Sequence, residues 1–185
     1  MAIIDTCRLR LAPLRHEDAE EALALVGEPS VRRFLFDDQR LDAADVAQMI
    51  LRSRSLQAER GAGGWTVRAH DTNHLAGMFW LWPFQNPHQL ELAFALSARW
   101  RGRGYAMEAG DALLAHVRDE LRWPGVHAST DIGNAASIRT LWRLDFKETG
   151  LGSGPAGPLR LFVREFAAEH AGQARWVPTA ARLTA

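Results

Sequence analysis

The sequence predicts an α/β domain, and three observations predict it. Between Leu90 and Leu121 the apolar spacing changes from strand period to helix period across a glycine-rich turn. Strand-like and helix-like segments alternate over the rest of the chain to about Phe166. Finally, 185 residues with 47% hydrophobic and 24% charged side chains suit one domain with a real core.

Taken in order, Arg8 to Leu14 sets Leu9, Leu11 and Pro13 against arginines and reads as a strand near an edge. The acidic run from His16 to Glu21 opens a helix carrying Ala22, Leu23, Leu25 and Val26, its carboxylates favoured by the positive helix start. Glu28-Pro29 breaks that helix, and Val31 to Phe36 begins a short second one. Asp42 caps a longer helix over Ala43 to Ala58, with Val46, Met49, Ile50 and Ser53 inward. Gly61 to Gly64 reads as a flexible joint.

Trp65 to Ala69 and Leu75 to Trp82 read as strands around the turn His70 to Asn73. Alternation puts Trp80, Trp82 and Phe84 on one face and Phe79 and Leu81 on the other. One face is core; the other is also core, or lines a cleft or a contact between copies, which leaves a homodimer open. The central strand sets Leu90, Leu92, Phe94 and Leu96 against Glu91, Ala93 and Ala95, and the helix after it places Ala106, Gly110, Leu113, Leu114, Val117 and Leu121 on one stripe. Trp123-Pro124-Gly125 stops the chain before a strand over Val126 to Asp131, a helix over Asn134 to Leu144 and a strand from Phe146. Gly150 to Pro158 reads as a loop and Leu159 to Phe166 as the last strand. Residues 1–166 form the domain; residues 167–185 lose periodicity and read as a docked or partner-contacting tail.

Twenty-two basic residues balance 22 acidic ones, which predicts no general attraction to nucleic acid or membrane. The single cysteine, Cys7, excludes an internal disulfide and a cysteine metal cluster. His70 and His74 lack ligand partners at metal spacing, so no metal is expected. The start reaches Asp5 and Arg8 at once, which predicts no signal peptide, and no apolar run approaches membrane-spanning length; a cytoplasmic location is the default expectation.

The turn Arg101-Gly102-Arg103-Gly104-Tyr105-Ala106 joins the central strand to its helix. Glycines let successive amides turn inward together, and the helix adds its positive end, so the turn reads either as an anion cradle or as a plain tight connection between strand and helix. Arg99, Arg101 and Arg103 favour a polyphosphate. The spacing fits neither a dinucleotide fingerprint nor a P-loop. Arg101-x-x-Gly104-x-Ala106, preceded by Glu91-Leu-Ala-Phe-Ala-Leu-Ser97, resembles the acetyl-CoA pyrophosphate loop of the GNAT N-acetyltransferases. The block Asn134-Ala-Ala-Ser137-Ile-Arg-Thr-Leu141-Trp-Arg-Leu144-Asp-Phe146 and the opening from Arg8 to Ala19 resemble the RimJ/RimL-like branch of that superfamily, which includes ribosomal-protein N-terminal acetyltransferases.

The resemblance implies a mixed, mostly antiparallel twisted sheet of about six or seven strands, flanked by helices and splayed where the cofactor lies. It implies acetyl-CoA as co-substrate, held by Arg101 to Ala106, by backbone near Leu96 and Ser97, and by Asn134 and Arg139. It implies that the long helix after Asp42 packs over the acceptor side. Glu91 is the base candidate or a solvent-facing charge; Asn134 and Ser137 contact the cofactor, cap a helix, or both; Arg139 reaches phosphate or solvent.

Two positions depart from the family pattern. Leu141 stands where many members carry an acidic tyrosine, leaving Ser137 or water to protonate the thiolate, and Asp145 replaces a turn glycine. The loop from Gly150 to Pro158 offers no acidic group to recruit an amine. The expected activity is acetyl transfer to a primary amine, first a protein or peptide N-terminal α-amine. The alternatives are a small or aminoglycoside-like amine, or a non-catalytic acyl-CoA-binding module.

Overall fold

Strand-period and helix-period segments build one eight-stranded sheet flanked by helices in the computed structural model, which describes residues 2–84 and 86–166. The strands are β1 (Ile4–Asp5), β2 (Leu9–Pro13), β3 (Gly63–Ala69), β4 (Leu75–Phe84), β5 (Asn86–Leu96), β6 (Gly125–Asp131), β7 (Lys147–Gly154) and β8 (Gly157–Glu165). The helices are α1 (Ala19–Gly27), α2 (Pro29–Leu35), α3 (Ala43–Arg60), α4 (Tyr105–Asp119) and α5 (Ala135–Arg143). Sheet order is β1-β2-β3-β4-β5-β6-β8-β7. Every neighbour pair is antiparallel except β5–β6, which is parallel and matched only at Glu91 and His127. The sheet therefore opens in its middle. The count exceeds the expected six or seven because the two-residue β1 pairs at the edge.

The alternation along β4 and β5 sorts their side chains into two cores. Phe79, Leu81, Leu90 and Leu92 face α4 and α5, with Leu113, Leu114 and Leu141. Met78, Trp80 and Ala95 face α1 to α3, with Leu25, Val46 and Ile50. Trp80 is fully buried, and Trp82 packs against the same core under the Arg52 guanidinium, 5.0 Å from its ring. That face is core, and neither tryptophan borders the central cleft. The side chain of Phe84 and the tail at residues 167–185 lie outside the described residues.

Two glycine-rich stretches read as loops are strands. Gly61 ends α3 in the left-handed region (φ 68°), but Gly63 and Gly64 belong to β3 and lie against α3. A Cβ on Gly63 would sit 2.6 Å from the Ser53 carbonyl oxygen, and one on Gly64 would sit 2.9 Å from Trp80 Cδ1. Ser53 Oγ accepts from the Gly64 amide (2.7 Å) and Gln57 Nε2 donates to the Gly64 carbonyl (2.7 Å). The glycines serve close approach rather than flexibility. Likewise Gly150, Gly152 and Gly154 lie in β7, and only Pro155 and Ala156 turn the chain into β8. Leu161 and Leu159 of β8 lean over Gly152 and Gly154, whose missing side chains make room for them.

The acidic run before α1 also does more than favour a helix start. Asp18 and Glu21 both bind Arg68 of β3, at 2.8 and 2.5 Å, and fasten α1 to the sheet.

Candidate active site

The opening between β5 and β6 becomes a cleft of about 610 Å³ running from the loop after β5 to the C-terminal end of β6. Beyond Glu91, no strand among the described residues pairs with β5 on the β6 side. Ser97 donates its amide to the Ala76 carbonyl of β4, on the side away from β6 (3.0 Å). Backbone N–H groups alternate sides along a strand, so Leu96 and Phe94 turn theirs toward the cleft. The cleft thus has a ready amide at Leu96 and none at Ser97.

The cradle closes one end. Gly102 (φ 73°) and Gly104 (φ 80°) both adopt the left-handed region, which curls the backbone around a concavity. Gly104 caps α4, and its carbonyl accepts from Met107 and Glu108. No carbonyl within the described residues accepts from the amides of Gly102, Arg103, Gly104, Tyr105 or Ala106. Five free amides at a helix start fit a diphosphate. Arg101 borders the cleft and donates Nε to the Leu96 carbonyl (3.0 Å), tying strand end to loop.

Trp100 and Tyr105 stack under the loop with centroids 5.7 Å apart, and Arg103 lies over Trp100 at 4.9 Å. The Arg103 side chain packs there and does not border the cleft, so its contribution to the cradle is its backbone. Ser97 also departs from expectation: it borders a separate cavity of about 290 Å³, beside Glu28 and Arg99.

The far half of the cleft is built from side chains. Glu91 Oε1 accepts from Ser129 Oγ of β6 at 2.5 Å. Burial pushes the Glu91 carboxyl above the usual range, and the hydroxyl and amide of Ser129 pull it partly back. Glu91 is half-buried, borders the cleft and is held by Ser129, so it is not a freely solvated charge on the outer face of the strand. Asp131, at the end of β6, and Asp37, after α2, also border the cleft. Burial and the nearby Asp37 charge raise Asp131, against a weaker opposite pull from Arg33.

Helix α5 lines the third side. Asn134 is its N-cap, accepting from the Ser137 amide at 3.2 Å, and Asn134, Ser137 and Arg139 all border the cleft. Leu141 is buried in the core, so no acid stands at the position where many family members carry tyrosine. The chain's one tyrosine, Tyr105, is engaged by Trp100 and by the Arg8 guanidinium 4.8 Å above its ring. Asp145 ends α5 with φ 59°, adopting the left-handed turn that a glycine would otherwise supply.

Of the candidates read from sequence, the cleft gathers Glu91, Leu96, Arg101, Gly102, Gly104, Tyr105, Ala106, Asn134, Ser137 and Arg139. Sequence reasoning missed Ser129, Asp37 and Asp131. Asp131 ends a strand beside the splay and could have been flagged; nothing local marks Ser129 or Asp37.

This geometry gives the comparisons with known proteins a structural context. The model of the acetyltransferase (GNAT) domain matches residues 8–147. The uncharacterized N-acetyltransferase p20 of Bacillus licheniformis is 24% identical over 152 residues, covering 82% of this chain and 85% of that protein. Among solved structures, the Salmonella typhimurium acetyltransferase that modifies the N-terminal serine of ribosomal protein L7/L12 superposes with a TM-score of 0.75 at 17% identity, covering 90% of this chain and 100% of that one. An aminoglycoside acetyltransferase, AAC(6')-Ib in complex with coenzyme A, superposes with a TM-score of 0.70 at 15% identity, covering 85% and 94%. These two share the fold. The match across residues 8–147, on a sheet splayed over an amide cradle, shows that the chain belongs to the GNAT acetyltransferases, enzymes that use acetyl-CoA.

Proposed function

We propose that this acetyltransferase acts on the N-terminal α-amine of a protein or peptide. The observation that carries the reading is Glu91, a half-buried carboxyl that borders the cleft and is hydrogen-bonded to Ser129. An α-amine has a pKa near ~7.7–8.0, so roughly a tenth or more is already neutral at pH 7. A carboxylate raised by burial is a better base than a solvated one and collects its proton. A lysine-like amine near ~10.4 leaves about one molecule in 2,500 neutral and asks far more of the same group.

Acetyl-CoA supplies the activated acetyl group. The amides from Gly102 to Ala106 hold its diphosphate, and Arg101 and Arg139 add positive charge. The Leu96 amide would donate to the thioester oxygen, where charge develops during attack. Glu91 takes the amine proton directly or through one water, and Ser137, capped by Asn134, returns a proton to the departing thiolate. Asp37 and Asp131 attract the cationic form of the amine to the cleft before it loses that proton.

That acidic end also favours a second reading, a small polycationic amine of the aminoglycoside type. The test is acetyl-CoA-dependent thiol release over a panel of N-terminal peptides, lysine-type amines and aminoglycosides at pH 7. Turnover confined to peptides with a free α-amine supports the first reading, and turnover confined to aminoglycosides selects the second. Release with none of the acceptors, from protein that binds acetyl-CoA, would remove both.

A further inference from the structure

Arg8 lies about a hundred residues from the cradle in sequence and touches it from behind. Its Nη1 donates to the Arg103 carbonyl oxygen at 2.9 Å. Its Nε donates to Glu108 Oε2 at 2.6 Å, and its backbone amide donates to Glu108 Oε1 at 2.8 Å. Thr6 Oγ completes the set by donating to Glu108 Oε1 at 2.6 Å. Glu108 sits in the first turn of α4, so the chain just before β2 is fastened to the helix that carries the cradle. These bonds hold the Glu108 carboxyl below its usual range despite partial burial.

We infer that Arg8 is a positioning residue for the diphosphate of acetyl-CoA, acting through the peptide between Arg103 and Gly104. A trans peptide is planar, and its C=O and N–H point in opposite directions. With the Arg103 carbonyl held by Arg8 on the outer side, the Gly104 N–H is turned toward the cleft that Gly104 borders. A cation on the carbonyl oxygen also polarises the peptide and strengthens that N–H as a donor. Arginine suits the task because one planar fork reaches the Glu108 carboxylate and the Arg103 carbonyl together. The stacked pair Trp100 and Tyr105 fixes the loop from beneath while Arg8 covers the Tyr105 ring, so the peptide is held on two sides.

The inference rests on acetyl-CoA binding and is independent of the acceptor. Calorimetric titration of acetyl-CoA into wild type, Arg8→Ala and Arg8→Lys therefore tests it without an acceptor. Arg8→Ala should weaken acetyl-CoA binding about tenfold, the scale of one charge-assisted hydrogen bond, with the ligand-free melting temperature within a few degrees of wild type. Arg8→Lys should lie between, since a flexible ammonium keeps the charge but lacks the planar fork that fixes both partners at once. On any confirmed acceptor, KM for acetyl-CoA should rise in parallel while kcat and the acceptor KM stay within about twofold.

Wild-type acetyl-CoA affinity in Arg8→Ala would overturn the inference. Equal losses in kcat and in both KM values, with a large fall in melting temperature, would overturn it too, because that pattern is a general loss of structure. If Arg8→Ala does not fold, Arg8→Lys decides: a several-fold loss of affinity at unchanged melting temperature supports the role, and unchanged affinity removes it.

Discussion

The two ends of the cleft are made in different ways. The cofactor end is backbone: five free amides between Gly102 and Ala106, contiguous in sequence and shaped by two glycines with positive φ. The proposed acceptor side is side chain: Glu91 from β5, Ser129 and Asp131 from β6 and Asp37 from the turn after α2 all line the cleft, brought together only by the sheet and the helices on it. Backbone recognition ignores side-chain identity, so the first end can serve one cofactor across many relatives. Side-chain recognition changes with every substitution, so the second end is where acceptors diverge. Mutations at the two ends should therefore fail differently, the first by losing acetyl-CoA and the second by losing rate.

The largest effect belongs to the cofactor end. Gly104 holds φ 80°, and a β-branched residue there is strained by ~1–2 kcal/mol or forces the loop to a different path. A Cβ itself would clear its nearest neighbour, Arg8 Nη2, at 3.5 Å, so the strain lies in the backbone and not in a clash. Saturating acetyl-CoA, at about a hundred times its Kd, should stabilise wild type by ~2.7 kcal/mol. That amounts to roughly 5–10 °C for a domain of this size. Gly104→Val should abolish the shift while the protein still folds. A variant that keeps the full shift would mean the diphosphate binds elsewhere.

Glu91→Gln comes next, and it probes the acceptor end. Gln keeps the shape and removes the charge, so acetyl-CoA affinity should hold within a few-fold. At pH 6 to 7 the rate should fall by ~10²-fold, the lower end of general-base effects. For an α-amine the deficit should shrink above pH 8, where the acceptor is largely neutral; for a lysine-like acceptor it should persist. Stability gives an independent check. Because folding raises the Glu91 pKa, the neutral form stabilises the fold at acid pH and that stabilisation is lost as pH rises through the folded value. Gln cannot ionise, so the variant should gain melting temperature relative to wild type as pH increases through that window. Wild-type rates across pH 6 to 9 would remove Glu91 as base.

Ser137→Ala should act later in the reaction. A group that matters only as the thiolate leaves lowers kcat without weakening the ground state. The expected loss is about tenfold, less than a full general-acid effect because water can supply the proton. The Asn134 cap accepts from the Ser137 amide and survives the substitution. A loss of acetyl-CoA affinity with unchanged kcat would make Ser137 a binding residue.

The same division explains what the sequence disclosed. The cradle, the central strand and α5 are local patterns, and each side chain they place follows from period two or period 3.6. Glu91 was legible for that reason, as the one charge on a strand face otherwise made of alanines. Ser129 was not, because its role depends on which residue of β6 lies beside Glu91 across a parallel pair matched at a single position. Asp37 was hidden in the turn between the short α2 and the long α3. Arg8 was visible only within a family-like block, with no local sign that it reaches Glu108 and Arg103. Glycine misled the reading twice, in β3 and β7, because its low strand propensity is outweighed where a neighbouring helix or leucine needs the space of a Cβ.

The smallest effect should come from Ser129→Ala, and it separates the burial of Glu91 from its hydrogen bonding. Burial raises the carboxyl, and the Ser129 hydroxyl and amide lower it. Alanine deletes the hydroxyl donor and leaves the amide, so the carboxyl should rise further, and a larger share of Glu91 is protonated at any pH on the acid side. A protonated carboxyl cannot accept the amine proton. The acid limb of the rate profile should therefore move to higher pH, costing a few-fold in rate near pH 6 and nothing near pH 9. Affinity for acetyl-CoA should change little, because the proposed hold on the diphosphate is through the cradle amides and not through Ser129. Two results would break this account: a limb that moves to lower pH would mean the hydroxyl raises Glu91 rather than lowering it, and a uniform loss at every pH would mean Ser129 touches the acceptor itself.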